Sequence, residues 1–470
     1  MKNLSLFLIF ILFSFQNSFS FQNSIKPLLL APVFSDHMVL QQKSDVSIWG
    51  STSPNQDVFV AASWDEKVIT KSDKDGEWNI KIKTPSYGGP YNISVISLKD
   101  TILLDDVLIG EVWLASGQSN MQWKLSNRLV NQEQEIANAN YNQIRMFTVP
   151  LDLTGEKIKN SKWKISNSEN VKLFSAVGYF FAKRLHVDIN VPIGIINTSW
   201  GGTRVEAWTS LKKLRTLNAT KDIISNLDLN ADNNQNNKKV NDANAYSMLF
   251  KKMLSPVIPY GIRGAIWYQG EANVGNYEEY NELFPAMIED WRERWGYDFP
   301  FYYVQIAPFN YEAGKLSHEL RDVQRKSLKT KNTGMAVTMD IGEANDIHPA
   351  NKQDVGNRLA LLALDNDYGY DLVSSGPLYM NHELYNDYID IDFDSKGSGL
   401  LGIRNLEGFE IAGSDGIFKN AQAIIIDNKV RVSSSKVDNP KQARYAWKNF
   451  FDGTLFNKEG LPASSFITNK

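Results

Sequence analysis

Five residues carry the first chemical signal in this chain: Gly117-Gln118-Ser119-Asn120-Met121, just after the apolar run Val107 to Leu114. That run reads as a buried strand. A serine on a tight strand-to-helix turn exposes its hydroxyl at a sheet edge, where it can act as a nucleophile. Gly117 lets the chain turn sharply, and Gln118 and Asn120 supply hydrogen-bonding groups suited to a turn. An ordinary loop serine fits the same five residues, so the motif needs company.

Acyl transfer needs a base for the nucleophile's proton, a group to orient the base, and donors for the oxyanion. Of five histidines (His37, His186, His318, His348 and His382), His348 is the best placed. It lies in Asn345-Asp346-Ile347-His348-Pro349, a loop after the strand expected at Met335–Met339, with Pro349 expected to open the next helix. Asp346 can orient the imidazole or cap that helix. His186, at the end of the amphipathic stretch Val177–Leu185, reads as structural, and His37 as a packing or turn residue.

Two more segments follow apolar runs. Asn197-Thr198-Ser199-Trp200-Gly201-Gly202-Thr203-Arg204 has paired glycines that can aim a main-chain N–H into a cavity, or form a plain turn. Trp267-Tyr268-Gln269-Gly270-Glu271-Ala272-Asn273 gathers amides, a carboxylate and two aromatic rings. Gln269 or Asn273 can donate to an oxyanion, Glu271 can pair with a histidine, and Trp267 or Tyr268 can stack on a sugar. A buried polar turn with core aromatics is the competing reading.

The elements that must position these residues form an α/β pattern. Strand runs at Val107–Leu114, Val191–Asn197, Gly264–Tyr268, Phe301–Ile306 and Met335–Met339 alternate with amphipathic stretches. Phe284, Ile288, Trp291 and Trp295 fall at helical spacing, as do Val355, Leu359 and Leu362. The pattern predicts a mainly parallel sheet covered by helices, with ligands at the carboxyl ends of its strands. Before it, short alternating runs with frequent turns predict a small β-sandwich. After about Asp365 the chain returns to β character, with a hairpin expected at Asp427-Asn428. The polar stretch Asn233–Lys239, within a break from Thr216 to Ala245, reads as an exposed loop.

Composition narrows the function classes. The 470 residues include no cysteine, which excludes disulfides, thiolate metal sites and cysteine nucleophiles. A net charge of −3 gives no basic surplus for nucleic acid. Lys2, the apolar run Leu4 to Phe15 and Ser18-Phe19-Ser20 have the layout of a secretory signal peptide, so a secreted or periplasmic protein with no membrane anchor after cleavage is expected.

Taken together the four segments resemble the sialate O-acetylesterase-type carbohydrate esterases of the SGNH (GDSL-like) hydrolase superfamily. The carriers are Gly117 to Met121, Trp200 to Thr203, Trp267 to Glu271 and Asp346 to Pro349. Phe34 to Gln41 and Asn457 to Ala463 extend the likeness over nearly the whole mature chain. The resemblance implies a flavodoxin-like three-layer α/β/α hydrolase domain flanked by N- and C-terminal β-sandwich-like segments. The corresponding bounds are 1–20 for the signal peptide, 25–104 for an N-terminal β domain, 105–365 for the catalytic domain, and 366–470 for a C-terminal β region that can pack with the N-terminal one.

By resemblance Ser119 is the nucleophile and His348 the general base, with the Ser119 amide, a glycine N–H at Gly202 (or Gly201) and the Gln269 side chain holding the oxyanion. The triad acid stays open between Asp346 and Glu271: relatives often carry an acid three residues before the histidine, where this chain has Asn345. Ala272 stands where the family more often has serine. The implied substrate is an O-acetylated glycan or sialic acid, and no cofactor is implied. Arg204 can grip a sialic acid carboxylate or serve as a structural arginine near Glu206. Two rivals remain: an esterase for acetylated xylan or another polysaccharide, and a secreted carbohydrate-binding protein without catalysis.

Overall fold

The structure is a computed structural model that describes residues 26–226 and 242–468. The expected signal peptide and the Asn233–Lys239 stretch lie outside the described residues. At the centre is a mixed α/β layer built on β1 (Asp100–Gly117), β2 (Tyr141–Thr148), β3 (Lys164–Ser166), β4 (Ile193–Ser199), β5 (Gly264–Tyr268), β6 (Phe301–Val304) and β7 (Thr333–Ala336). Their order is β3-β2-β4-β1-β5-β6-β7, parallel throughout except for β3. Strands after β1 build one side of it first (β2, β4) and the other later (β5 to β7). The order therefore reverses at β1, and a crevice opens beyond its carboxyl end.

Every residue of β4, β5 and β6 is buried, because both faces of the sheet are covered. Trp113, Ile266, Tyr302 and Val304 share one core with Phe180 and Phe181 of α2 (Ala176–Ile189) and Leu359 of α5 (Lys352–Tyr368). Leu114, Ala265, Trp267 and Phe301 share the other with Phe284, Ile288 and Trp291 of α3 (Tyr277–Trp295). Burying a side chain of that size stabilises by roughly 2–3 kcal/mol, so the alternation of strand residues between the two cores fixes both sheet faces. The expected helical runs fall on α2, α3 and α5.

Four of the five expected strands differ in their bounds: β1 extends beyond Val107–Leu114 at both ends, β6 stops at Val304 before the expected Ile306, and β4 and β7 are shifted. Proline cannot donate to a ladder, so β4 starts at Ile193 after Pro192; it continues through the polar Asn197 to Ser199, which pair with Ala115 to Gly117. β7 ends at Ala336, before the expected Met339. Pro349 does not open α5. Asn351 caps that helix, its side chain accepting from the Asp354 N–H at 3.1 Å.

β1 is unusually long. Its first half pairs with Gly88–Ser97 in an N-terminal β layer, and its second half is the central strand of the parallel sheet. Val39–Gln41 pairs with Leu108–Gly110 near the junction of the two halves. A second layer of Leu29–Leu30, Asp45–Ser51 and Glu77–Lys83 completes the N-terminal β unit.

The C-terminal part is antiparallel β. Its hairpin between Gln422–Ile426 and Lys429–Ser433 turns at Asp427 and Asn428 with φ of 49° and 59°, both left-handed as a two-residue turn requires. The bonds that anchor this part run to the α/β layer. Arg321, on α4 (Ser317–Lys326), donates to Ser465 Oγ at 2.9 Å and to the Lys448 carbonyl, Gln305 donates to Ser464 Oγ at 2.7 Å, and the Gly453 N–H donates to the Met339 carbonyl at 2.9 Å.

Candidate active site

Ser199, Gly117 and Tyr268 are register partners at the carboxyl ends of β4, β1 and β5, so three of the four motifs leave the sheet side by side. Gly117 makes this close approach. Its φ is +138°, and a Cβ there would stand 2.2 Å from the Tyr268 carbonyl oxygen. Gly117→Ala should lower stability by roughly 2–4 kcal/mol, read as a lower thermal midpoint together with reduced activity.

The turn delivers Ser119 to the start of α1 (Ser119–Gln122), and the long loop after β7 delivers His348 to it. His348 Nε2 lies 2.9 Å from Ser119 Oγ. The imidazole stacks on Trp123, with ring centres 4.6 Å apart and planes 16° from parallel. On its far side, Nδ1 is 3.7 Å from Asp346 Oδ1, longer than a hydrogen bond. Asp346 accepts from the His348 backbone N–H at 2.8 Å and from Arg128 at 2.8 Å; Arg128 also bonds Glu343 at 2.9 Å. Asp346 thus braces the histidine loop and does not cap α5. Partial burial pushes its carboxyl up, but the His348 N–H and Arg128 outweigh this and hold it below the usual range. Burial, then the nearby Lys352 cation, lowers the His348 imidazole, with Asp346 opposing.

Glu271 is not paired with the histidine. Its Oε1 accepts from Asn120 Nδ2 at 2.6 Å, while Oε2 has no hydrogen-bond partner among the described residues. Burial raises its carboxyl, against its own backbone N–H, Asn120 and Lys352. Asn120 also donates to the Ile347 carbonyl at 3.0 Å and accepts from Lys352 Nζ at 2.5 Å. Asn120, Trp123, Arg128 and Lys352 received no site role from the sequence. Lys352 stands four residues after His348, and that spacing on the entry to a helix was the available signal.

The cleft over Ser119 has a volume of about 790 Å³ and is lined by Gly201, Gly202, Arg204, Glu271, Tyr311, Lys315 and His348, among others. The backbone N–H groups of Ser119 and Gly202 make no hydrogen bond within the described residues, and Gly202 turns with φ +72°. The Gly201 N–H is taken by Gln122 Oε1 at 2.8 Å, so Gly202 is the open donor of the pair. Arg204 lines the cleft half-buried, and its guanidinium makes no hydrogen bond or ion pair among the described residues.

Four candidates lie elsewhere than expected. Gln269 is fully buried: its amide donates to the Thr203 carbonyl (3.0 Å) and Asn273 (2.7 Å) and accepts from Tyr280 (3.0 Å), leaving nothing for an oxyanion. Asn273 is equally buried, joining Gln269, the Val205 N–H and Glu206. This network fixes the loops after β4 and β5 to each other. Trp267 packs against Trp208 and Trp291, ring centres 6.0 and 5.6 Å away, and stacks on no ligand surface. Tyr268, also fully buried, faces Lys352. The cause is common to both rings: β5 is covered on both faces, so no side chain on it reaches the cleft.

His186 and His37 serve structure. His186 Nδ1 bonds the Val191 carbonyl at 2.9 Å, and His37 Nδ1 bonds Asp106 at 2.6 Å.

A serine hydroxyl hydrogen-bonded to an imidazole, at the point where a mainly parallel sheet reverses its order, defines the serine hydrolase class of site. Residues 109–365 match the family model described as carbohydrate esterase, sialic acid-specific acetylesterase. Sialate O-acetylesterases are similar over most of the chain. The one from Homo sapiens is 31% identical over 400 residues (75% of this chain, 74% of that protein), and the one from Mus musculus 30% over 427 residues (78% and 79%). A solved carbohydrate acetylesterase from Xanthomonas citri superposes with a TM-score of 0.84 at 35% identity, covering 94% of this chain and 100% of that one. This chain belongs to that carbohydrate esterase family, and it is an ester hydrolase rather than a binding protein without catalysis.

Proposed function

We propose that this enzyme removes O-acetyl groups from sialic acid through an acetyl-serine intermediate. The observation that carries the chemistry is the 2.9 Å contact between His348 Nε2 and Ser119 Oγ at the floor of the cleft. His348 takes the Ser119 proton as Oγ attacks the acetyl carbonyl. The N–H groups of Ser119 and Gly202 hold the oxyanion, each donor being worth about 3 kcal/mol of barrier. His348 then gives that proton to the sugar oxygen as its bond to the acetyl carbon breaks, and a water that His348 activates cleaves the acetyl-serine to acetate and free Ser119. Asp346 orients the imidazole as positive charge develops on it. The layered sheet is read as the flavodoxin-like arrangement of SGNH hydrolases, and the N-terminal segment as a signal that exports the enzyme to a periplasm or beyond.

The sialate preference rests on Arg204 and on the relatives' substrate. A guanidinium with no hydrogen-bond or ion-pair partner among the described residues, in the same cleft as the nucleophile, suits a sugar that carries a carboxylate. Acetate release from O-acetylated sialic acid and from acetylated xylan, measured side by side, tests this. Arg204→Ala should raise KM for the sialate about 10- to 100-fold, the worth of a charge-assisted hydrogen bond pair, and leave kcat/KM for an aryl acetate unchanged. Hydrolysis of xylan with none of the sialate would replace this reading with a polysaccharide acetylesterase.

A further inference from the structure

Lys352 opens α5 and is wholly buried. Among the described residues no carboxylate pairs with it directly; Glu271 is reached only through Asn120. Its ammonium donates to Asn120 Oδ1 at 2.5 Å and lies 5.8 and 5.7 Å from the ring centres of Trp123 and Tyr268. An ammonium buried this way opposes folding, and an apolar side chain of the same length would pack there more favourably. A destabilising charge of this kind beside a nucleophile is a candidate for a role in the reaction.

We propose that Lys352 is a positioning residue for the esterase reaction, locking the Ser119 turn to the His348 loop through Asn120 and setting the plane of the imidazole through Trp123. This rests on the reading of Ser119 and His348 as nucleophile and base. The first arm is a chain of three bonds. Asn120, next to Ser119, gives one amide hydrogen to the carbonyl of Ile347, next to His348, and the other to Glu271. The opposite amide orientation would set oxygen against carboxylate, so the Lys352 cation and the Glu271 anion together fix which way Asn120 faces. The second arm is the Trp123 ring, which meets both the imidazole and the ammonium.

The charges around the site give this arrangement a pH signature. Burial pulls Lys352 down to about 7, while Glu271, Asp346 and Glu343 draw it upward and Arg128 lowers it further. Below that pH Lys352 is a cation and resists protonation of His348, so the free base persists into more acidic solution. Above it the cation fades, where the imidazole is already neutral.

The test compares wild type, Ser119→Ala, Lys352→Met and Asn120→Ser on an aryl acetate across pH, with thermal melts of each. Lys352→Met should melt no lower than wild type, lose about 10- to 100-fold in kcat with KM within about threefold, and shift the acidic limb of kcat/KM upward by about half a pH unit or more. Asn120→Ser cuts the same tie but keeps the cation. It should lose kcat with the limb unmoved, and it carries the test if Lys352→Met does not fold. Wild-type kcat in either folded variant overturns the proposal, as does a Lys352→Met loss of activity without movement of the limb, which assigns Lys352 to packing alone. Activity surviving in Ser119→Ala overturns the reading of the site itself.

Discussion

Ser119→Ala should lower kcat for an aryl acetate by about 10⁵- to 10⁶-fold, the loss seen when a serine nucleophile is removed from a complete triad. The variant should fold as wild type does, since Ser119 Oγ bonds only His348 among the described residues. Its residual rate would come from the oxyanion donors and binding alone. Burst kinetics give a second readout: wild type should release the aryl leaving group in a first turnover faster than steady state wherever deacylation is slower, and the variant should show no burst. Trapping of acetate on Ser119 in wild type, seen as a mass increase on that peptide, would tie the intermediate to this oxygen. Activity within tenfold of wild type would move the nucleophile elsewhere.

The second large effect separates the two carboxylates. Asp346→Asn should cost about 10²- to 10⁴-fold in kcat, because the imidazolium formed at His348 loses its nearest anion and the favoured tautomer. The 3.7 Å separation from Nδ1 suits this role: such contacts in a free enzyme are often long and tighten as charge develops. Arg128 and the His348 N–H leave the Asp346 carboxylate ionised well into acid, so it is available wherever the imidazole is a base. Glu271→Gln keeps an acceptor for Asn120 and should cost less than about tenfold. A larger loss in Glu271→Gln than in Asp346→Asn would reverse the assignment.

The serine, the histidine and the glycine pair were legible because each follows a strand whose run of apolar residues marks it as buried, and the carboxyl end of such a strand is where a crevice forms. The helices were legible from spacing. For the Trp267 to Asn273 segment the sequence left a substrate-facing cluster and a buried polar turn both open. Two-sided coverage of β5 turns Trp267 and Tyr268 inward, Gln269 and Asn273 are buried beyond its end, where an amide must satisfy its own neighbours, and Glu271 lines the cleft. Composition does not distinguish an amide that faces a cleft from one that knits two loops. Lys352 escaped notice because lysine at a helix start is ordinarily solvated; only the packing of Trp123 and Tyr268 over it reveals otherwise.

The N-terminal β unit and the catalytic sheet do not meet at a hinge; they are consecutive lengths of β1. Severing the chain between Leu104 and Asp105, where the composition changes, would part Gly88 and Tyr91 from their partners Ile109 and Val107 and begin the central strand of the parallel sheet on a frayed end. Because Gly117 closes that same strand, looseness at its start is carried along a stiff rod of backbone to the turn that holds Ser119. The enzyme is in this sense not modular: a shortened version retaining every catalytic side chain would still lack the first length of the strand that aims the nucleophile.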